Sequence, residues 1–509
     1  MTQKQKNILY GTVTVTVVYV ATLWQRPLFA PLEYDFAANS IFSTDSFASM
    51  LNGLFGKALG FNIVSVRLLP ALCTILSALC VRFCGKILKS DNFGNICAVV
   101  YLANFLTFAT GTFCGKEMIC SCFFTAGVTA ALAAVTLEHR MFFRILLGIA
   151  SGFCAGFFAL SCGFAAAVVP AAAVTMLLAV SKKDALIPAA ATVAGCAVCG
   201  IWMTKYPLPL LPALQAFSAG SLLWLIPAIL PWGVLFFQAG CAIRNYGRNF
   251  FTLPQTRCAV AVTLCAALCL PFTGIVIALL MTLPFLTIVF VTALDISKND
   301  RKLLDISKNT LKTVSFALLV FTAVTVVLCC LKSVPARWKL YYSKPELAGF
   351  AVAVVTALIQ FKTAVDKNTV NGAEKLLHIA TGAAILMILL PGAVPQKIKD
   401  NCAPGEFFSS IAIRYIPADA ELYADAESIN AVRWIMRGRK VILITKKSVH
   451  PLAERLKKDL PTAVFSTNND FTKVLPKTKI LFSKAIWKVV VCQTKGRSIY
   501  ERVIPDKGR

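Results

Sequence analysis

The stretch Arg26-Pro-Leu-Phe-Ala-Pro-Leu-Glu33-Tyr-Asp35-Phe-Ala-Ala38 follows the first long apolar segment of the chain. It places two carboxylates, Glu33 and Asp35, directly after a segment long enough to anchor in a membrane. Burial of a carboxylate at a bilayer surface costs desolvation free energy unless the group stays hydrated or is paired with a cation. Acidic residues are therefore kept at such positions mainly where they have a function. We therefore take both as candidate functional residues of a first outer loop over residues 25–61.

The composition excludes an ordinary soluble protein. Of the 509 residues, 57% are hydrophobic and only 15% are charged, whereas soluble domains carry about 25% charged residues. The net charge of +27 could indicate nucleic-acid binding, but the basic residues stand in short loops between apolar runs. That distribution is typical of charge that orients membrane segments and contacts membrane lipids, so we expect no nucleic-acid partner.

Apolar segments of about twenty residues predict membrane-spanning helices. Such segments begin near Asn7, Val64, Gly94, Met118, Phe142, Gly163, Ala185, Ala219, Thr256, Gly274, Thr310, Glu346 and Lys375. The sequence therefore predicts a polytopic α-helical membrane protein with about 13 transmembrane helices, a membrane domain over residues 1–396.

Basic residues in alternate short loops predict the orientation. With the N-terminus in the cytoplasm, the inner loops contain Arg82/Lys86/Lys89, His139/Arg140/Arg144, Lys182/Lys183, Arg244/Arg248/Arg257, Lys298/Arg301/Lys302 and Lys362/Lys367. The loop with Glu33 and the turn Lys116-Glu117 then lie outside, as does the C-terminal region.

Residues 397–509 have the composition of a small soluble domain. Strands are predicted at 421–424, 440–445 and 462–465, with helices at 426–437 and 449–458 between them. This alternation favours a parallel α/β layer. The domain lacks a GxGxxG motif after a strand, so nucleotide binding has little support. Cys402 and Cys492 could pair in an oxidising compartment.

The outer turn Lys116-Glu117 is the second place where chemistry could occur. A carboxylate beside a lysine suits deprotonation of an acceptor and neutralisation of a phosphate leaving group. The alternative is a solvated turn pair. The three histidines stand far apart in the sequence, so we expect no histidine-based metal site, although carboxylates alone could hold a divalent ion.

These features resemble the C superfamily of membrane glycosyltransferases, in particular the lipid A aminoarabinose transferases and protein-mannosyltransferase-like enzymes. The similarity is clearest in three segments: 26–38, Gly60 to Pro70 and Tyr101 to Gly127. Two further segments, Leu225 to Trp232 and Glu406 to Ile444, resemble a proline-tryptophan span and the soluble domain of these enzymes. The resemblance covers most of the chain and implies a GT-C-like fold with an extracytoplasmic C-terminal α/β domain.

The resemblance implies a function as well. Such enzymes move a sugar from a polyprenyl-phosphate donor to a lipid, glycan or protein acceptor on the outer face of a bacterial-type inner membrane. Carried over to this chain, it implies Glu33 or Asp35 as general base and Glu117 as helper or metal ligand, and of the two candidate bases we prefer Glu33. Arg26, Arg67 and Lys116 would contact the carrier phosphate.

The chain departs from the family at one important position. Where the family has its first loop acid, this sequence has Leu32. The sequence therefore leaves open a catalytically degenerate relative that binds a lipid-linked sugar or serves as an assembly partner. A transporter is a third reading, with less support because intramembrane charges are sparse.

Overall fold

The computed structural model describes most of the first 300 residues and most of the C-terminal region. The described ranges are 32–42, 46–136, 141–162, 168–179, 182–203, 225–229, 232–296, 400–458, 460–467 and 480–492, together with a few isolated positions. The predicted spans near Asn7 and Lys375 lie outside these ranges, and those near Thr310 and Glu346 are covered at isolated positions only.

Contacts divide the chain into two units. The helical unit includes Asp45–Leu331, and the sheet unit joins Arg26–Thr44 to Val394–Arg509. The acidic stretch after the first apolar segment therefore folds with the C-terminal residues, although 350 positions of sequence separate Thr44 from Val394.

The described part of the helical unit is built from helices alone. They are α2 (Phe47–Leu59), α3 (Ile63–Leu88), α4 (Asp91–Leu102), α5 (Phe105–Thr112), α6 (Glu117–Thr136), α7 (Met141–Cys162), α8 (Val168–Ala179), α9 (Lys182–Met203), α10 (Leu225–Ile229), α11 (Gly233–Tyr246), α12 (Arg248–Thr252), α13 (Pro254–Leu268), α14 (Leu270–Thr273) and α15 (Ile275–Ile296).

Within the described ranges, four of these helices are long and apolar enough to cross a membrane: α3, α6, α7 and α15. A fifth span is formed if the bent pair of α4 and α5 is counted as one, and α9 holds a shorter apolar stretch. The prediction of a polytopic helical membrane protein is confirmed. The predicted number of about 13 spans remains a prediction.

The pair of α4 and α5 differs from its prediction as one straight span, because it bends by 65°. Asn104 supplies the reason. Its side-chain oxygen caps α5 by accepting hydrogen bonds from the amides of Leu106 and Thr107 at 2.9 and 3.3 Å. Its side-chain amide donates to the carbonyl of Ala228 at 2.7 Å. A buried asparagine thus satisfies backbone groups that the bend exposes.

Small residues bring α7 and α9 together. A side chain in place of Gly152 would meet the carbonyl oxygen of Thr192 and the backbone of Gly195, and one in place of Gly156 would meet Cys199. Glycines at four-residue spacing on one helix face allow two backbones to approach closely, as is common in membrane helices.

The sheet unit is a five-stranded mixed sheet with the strand order β2-β1-β3-β5-β4. The strands are β1 (Glu421–Ala424), β2 (Val441–Leu443), β3 (Thr462–Ser466), β4 (Ile480–Lys484) and β5 (Trp487–Cys492). The pairs β1–β2 and β1–β3 are parallel, whereas β3–β5 and β4–β5 are antiparallel. The antiparallel hairpin extends the sheet beyond the three strands predicted from the sequence.

Four helices accompany the sheet: α1 (Leu32–Phe42), α16 (Gly405–Tyr415), α17 (Ile429–Ile435) and α18 (Lys446–Lys457). Phe408 of α16 contacts the rings of Phe465 and Trp487 with centroid distances of 5.0 and 5.6 Å. No disulfide joins Cys402 and Cys492, so the pairing considered from the sequence is not formed.

Candidate active site

The first acidic stretch forms the helix α1, with Glu33 and Asp35 in its first turn. Because successive helical residues are rotated by about 100°, two residues at this spacing point to nearly opposite sides. Glu33 is fully buried, and Asp35 is partly exposed. The positive end of the helix dipole favours a negative charge at both positions.

Asp35 is held by a residue that the sequence analysis did not identify. The side-chain amide of Asn430 on α17 donates a hydrogen bond of 2.9 Å to Oδ1 of Asp35. Among the described residues, no group donates to Oδ2. The carboxylate therefore has one oxygen fixed by a neutral amide and one available, which is an arrangement that suits a general base.

A second contact fixes α1 within the sheet unit. Tyr34 is buried, and its hydroxyl lies so close to Gly405 that a Cβ there would stand 2.5 Å from it. Glycine at this position lets the tyrosine pack against the start of α16. Asp35 is thus positioned by its own hydrogen bond with Asn430 and by the packing of the preceding residue, Tyr34, against Gly405.

Glu117 begins α6 and is the acidic residue of its first turn. The Glu117 side chain is partly exposed, and Lys116 before it is exposed. A Cβ added at Gly115 would collide with Oε2 of Glu117, so the carboxylate folds back over the glycine. The turn Gly115-Lys116-Glu117 therefore presents a carboxylate and an ammonium group at a helix N-terminus, which favours anions.

Two contacts set the register between α3 and α6. The thiol of Cys73 lies beside that of Cys122, and Sγ of Cys84 lies 3.2 Å from Oγ1 of Thr129. Later residues of α3 therefore meet later residues of α6. The two helices run parallel.

This register brings Arg67 to the level of Glu117. Measured back from the first of those contacts at 1.5 Å per residue, Arg67 lies about 9 Å along α3 and Glu117 about 7.5 Å along α6. Arg67 is fully buried. A buried guanidinium, an exposed ammonium and a carboxylate thus share one end of the helical unit, as expected for a site that binds a phosphate.

The end of α7 meets the same region. The thiol of Cys162, the last residue of α7, lies beside the thiol of Cys120. Cys120 also interacts electrostatically with Lys116 and Glu117. At this end of the unit, Arg67 of α3 and Lys116 before α6 supply cationic groups.

The structure places Arg67, Lys116 and Glu117 at the same end of α3 and α6 in one unit, and Glu33 with Asp35 in the first turn of α1 in the other. Arg26 lies outside the described residues. No group of three or more metal-ligating side chains occurs among the residues that the structure describes. A divalent ion held by carboxylates therefore stays a prediction.

A further acidic residue in the sheet unit has a structural role. Asp425 follows β1 and accepts hydrogen bonds from the amide of Ser428 at 2.8 Å, the amide of Thr467 at 2.6 Å and the hydroxyl of Ser466 at 3.0 Å. Burial raises its pKa, but the hydrogen bonds outweigh burial and hold the pKa of this carboxyl below its ordinary value. Asp425 directly follows β1, and two of its donors, Ser466 and Thr467, stand at the end of β3. Asp425 therefore links the ends of β1 and β3.

Comparison with known proteins identifies the fold. No protein-family model and no curated protein matches the chain. ArnT from Cupriavidus metallidurans in its apo state superposes with a TM-score of 0.72 at 14% identity, over 96% of this chain and 98% of ArnT. The chain shares the fold of ArnT. The resemblance to C-superfamily membrane glycosyltransferases predicted from the sequence is thereby confirmed for the fold.

Two further solved structures align along most of the chain. ArnT from the same organism bound to undecaprenyl phosphate has a TM-score of 0.72 at 14% identity, over 95% of this chain and 97% of ArnT. The oligosaccharyltransferase of Archaeoglobus fulgidus has a TM-score of 0.46 at 11% identity, over 92% of this chain and 71% of its own length.

Proposed function

We propose that this protein is a membrane glycosyltransferase that moves a sugar from a polyprenyl-phosphate donor to a lipid, glycan or protein acceptor. The observation that supports the proposal is the position of Arg67, Lys116 and Glu117 at the same end of α3 and α6 in a chain with the ArnT fold. ArnT has been solved with undecaprenyl phosphate bound. The proposal includes an inner-membrane location, a cytoplasmic N-terminus and an outer position for the site and the sheet unit.

The proposed reaction is a direct displacement at the sugar carbon that carries the phosphate. A carboxylate takes the proton from an acceptor hydroxyl, whose oxygen then forms the new bond to that carbon. The bond between the carbon and the phosphate oxygen breaks, and polyprenyl phosphate leaves with the electron pair. Arg67 and Lys116 would stabilise the charge that develops on the leaving phosphate.

Asp35 is the better placed of the two candidate bases in the first loop. Its Oδ2 atom accepts no hydrogen bond from the described residues, and Asn430 orients the other oxygen. Glu33, by contrast, is fully buried. We therefore assign deprotonation to Asp35, a supporting role to Glu33, and anion balance or metal ligation to Glu117.

The test is transfer by the purified full-length protein in proteoliposomes. A panel of polyprenyl-phosphate-linked sugars serves as donor, and release of polyprenyl phosphate is measured. We expect release by the parental protein and loss of release in Asp35→Asn. If Asp35→Asn released the carrier at the parental rate while Glu33→Gln did not, the base would be Glu33. Parental rates in both variants and in Glu117→Gln would overturn the assignment.

A catalytically degenerate binder is the second candidate function, and Leu32 favours it because this position holds an acid in the related enzymes. Such a protein would bind a lipid-linked sugar or an assembly partner without turnover. Extraction of lipids from the purified protein distinguishes the two. A co-purifying polyprenyl phosphate combined with no release from any donor would support the binder.

A further inference from the structure

A second site lies on the helical unit, away from the candidate active site. A groove of about 400 Å³ is lined by Leu79, Cys80, Arg82, Phe83 and Lys86 of α3 and by Thr129 of α6. Thr129 stands about 18 Å along α6 from Glu117. The groove is therefore separate from the end of the unit that carries Arg67 and Glu117.

Arg82 gives the groove an anion-binding group. Its Nε donates a hydrogen bond of 2.6 Å to Oδ1 of Asn95 on α4. Among the described residues, no partner is present for its two terminal nitrogens. A guanidinium oriented through Nε presents these nitrogens as a fork, and that fork matches two oxygens of a phosphate.

The other charges around Arg82 balance one another. Nζ of Lys86 lies 3.2 Å from Oδ1 of Asp91 in an exposed pair, and Lys89 pairs with Asp295. Exposed ion pairs contribute little and rearrange easily. Among the described residues at this end of α3, the positive charge of Arg82 is therefore left unbalanced, and Lys86 could turn toward a second anionic oxygen.

An apolar surface begins at the same groove. Leu72, Leu76, Leu79 and Phe83 follow one face of α3 and are each between 38% and 49% exposed. The row extends about 16 Å along the helix. Half of the hydrocarbon thickness of a bilayer is about 15 Å, so the row matches the length of acyl chains in one leaflet.

We propose that this groove binds one anionic phospholipid, with the phosphate on Arg82 and an acyl chain along the row from Phe83 to Leu72. The predicted orientation places Arg82 and Lys86 in an inner loop, where a cytoplasmic leaflet supplies anionic headgroups. The groove selects by charge at one end and by length at the other. It is independent of the proposed transfer reaction.

Native mass spectrometry of the full-length protein in detergent tests this site with three probes: phosphatidylglycerol, phosphatidylcholine and undecaprenyl phosphate. We expect the retention that depends on Arg82 to be greatest for phosphatidylglycerol. Arg82→Ala should lower the affinity for this lipid about tenfold, since the phosphate loses a charge-assisted hydrogen-bonding partner. Asn95→Ala keeps the charge but releases Nε, and it should cause a smaller loss.

Arg248→Ala is the matched control. Arg248 is an exposed arginine of α12 and belongs to another predicted inner loop, so the variant loses the same charge on the same predicted side. We expect it to bind phosphatidylglycerol like the parental protein. Unchanged phosphatidylglycerol binding in Arg82→Ala, an equal loss in Arg248→Ala, or a larger Arg82-dependent loss for phosphatidylcholine or undecaprenyl phosphate than for phosphatidylglycerol would overturn the proposal.

Discussion

The first turn of α1 and the first turn of α6 both carry a carboxylate at the positive end of a helix, but their surroundings differ. Asp35 of α1 is fixed by the amide of Asn430, a residue far along the chain. Glu117 of α6 is held by its own turn, where Gly115 leaves room for the folded carboxylate. The position of the Asp35 carboxylate therefore depends on a long-range contact within the sheet unit, whereas the position of the Glu117 carboxylate depends on the local backbone.

This difference separates two tasks. A carboxylate whose one oxygen is fixed and whose other oxygen is available suits proton transfer. A carboxylate beside Lys116 and level with Arg67 instead suits the proposed phosphate-binding end of the helical unit, where it would balance cations or hold an ion. The comparison predicts that variants of the two turns fail in different ways.

Asp35→Asn removes the proposed base and has the largest expected effect, a reduction of transfer by about 10²–10⁴-fold. Glu117→Gln comes next: removal of this charge should reduce transfer by about 10²–10³-fold, the range for loss of one electrostatic group of a site. It should destabilise the protein by no more than about 1 kcal/mol, the contribution of a charge at a helix N-terminus. Transfer rate and thermal unfolding are measured on the same preparation.

Glu406→Gln is the matched control, because Glu406 is an exposed glutamate in the first turn of α16. It should keep the parental transfer rate. Equal losses in Glu117→Gln and Glu406→Gln would remove the distinction between a site residue and any helix-terminal acid.

Gly115→Ala tests the local turn. The added Cβ collides with Oε2 of Glu117, so the carboxylate must swing away while the charge is kept. A displacement of about 1 Å costs up to about 10²-fold in rate, and we expect a loss within that limit with little change in stability. Gly240→Ala on α11, where a Cβ meets no neighbour within 4 Å, should transfer like the parental protein. Parental activity in Gly115→Ala would show that the folded position of Glu117 is unimportant.

Asn430→Ala tests the long-range contact. It should destabilise the sheet unit by about 0.5–1.5 kcal/mol, the net value of one hydrogen bond. Because the acid itself remains, transfer should fall less than in Asp35→Asn. The loss should appear in kcat rather than in KM for the donor, and Asn430→Gln should restore part of it. A change confined to KM would place Asn430 in donor binding instead.

Asp425→Asn should have the smallest effect on transfer, but it should change how the stability of the sheet unit depends on pH. Its pKa is lower in the folded protein than its ordinary value of 3.8, so its contribution to stability is complete above that value and is lost as pH falls toward the folded pKa. Asp425→Asn should therefore weaken this acid dependence and destabilise the sheet unit by about 1–3 kcal/mol at neutral pH.

Proteolysis of the full-length parental protein and of Asp425→Asn at matched pH values measures this difference. If the acid dependence of the two proteins were identical, the lowered pKa would not contribute to the stability of the sheet unit.

The sequence predicts local features well. Apolar length indicates α3, α6, α7 and α15, and the strand predicted at 421–424 coincides with β1. The bend between α4 and α5 was missed because Asn104 is polar but lies within an otherwise apolar run. Its side chain caps a helix and bonds a distant carbonyl, and only the fold shows both contacts.

For the candidate site, too, residue types were predictable from the sequence, whereas long-range contacts were not. Acids after an apolar segment and a Lys-Glu turn identify Glu33, Asp35 and Glu117 as candidates from residue types alone, but residue types favoured Glu33 over Asp35, and only the burial of Glu33 and the contact of Asp35 with Asn430 reverse that preference. The alignment of Arg67 with Glu117 depends on the parallel register of two helices. The partner of Asp35 lies 395 positions away in sequence, and an asparagine within a short helix carries no signal that would select it.

Release of polyprenyl phosphate from polyprenyl-phosphate-linked sugars by the purified protein tests the proposed sugar transfer most directly. We expect release by the parental protein and by Glu406→Gln, and none above background in the double variant with Asp35→Asn and Glu117→Gln. Retention of a bound carrier with no release by the parental protein would contradict a transferase and support a binding protein.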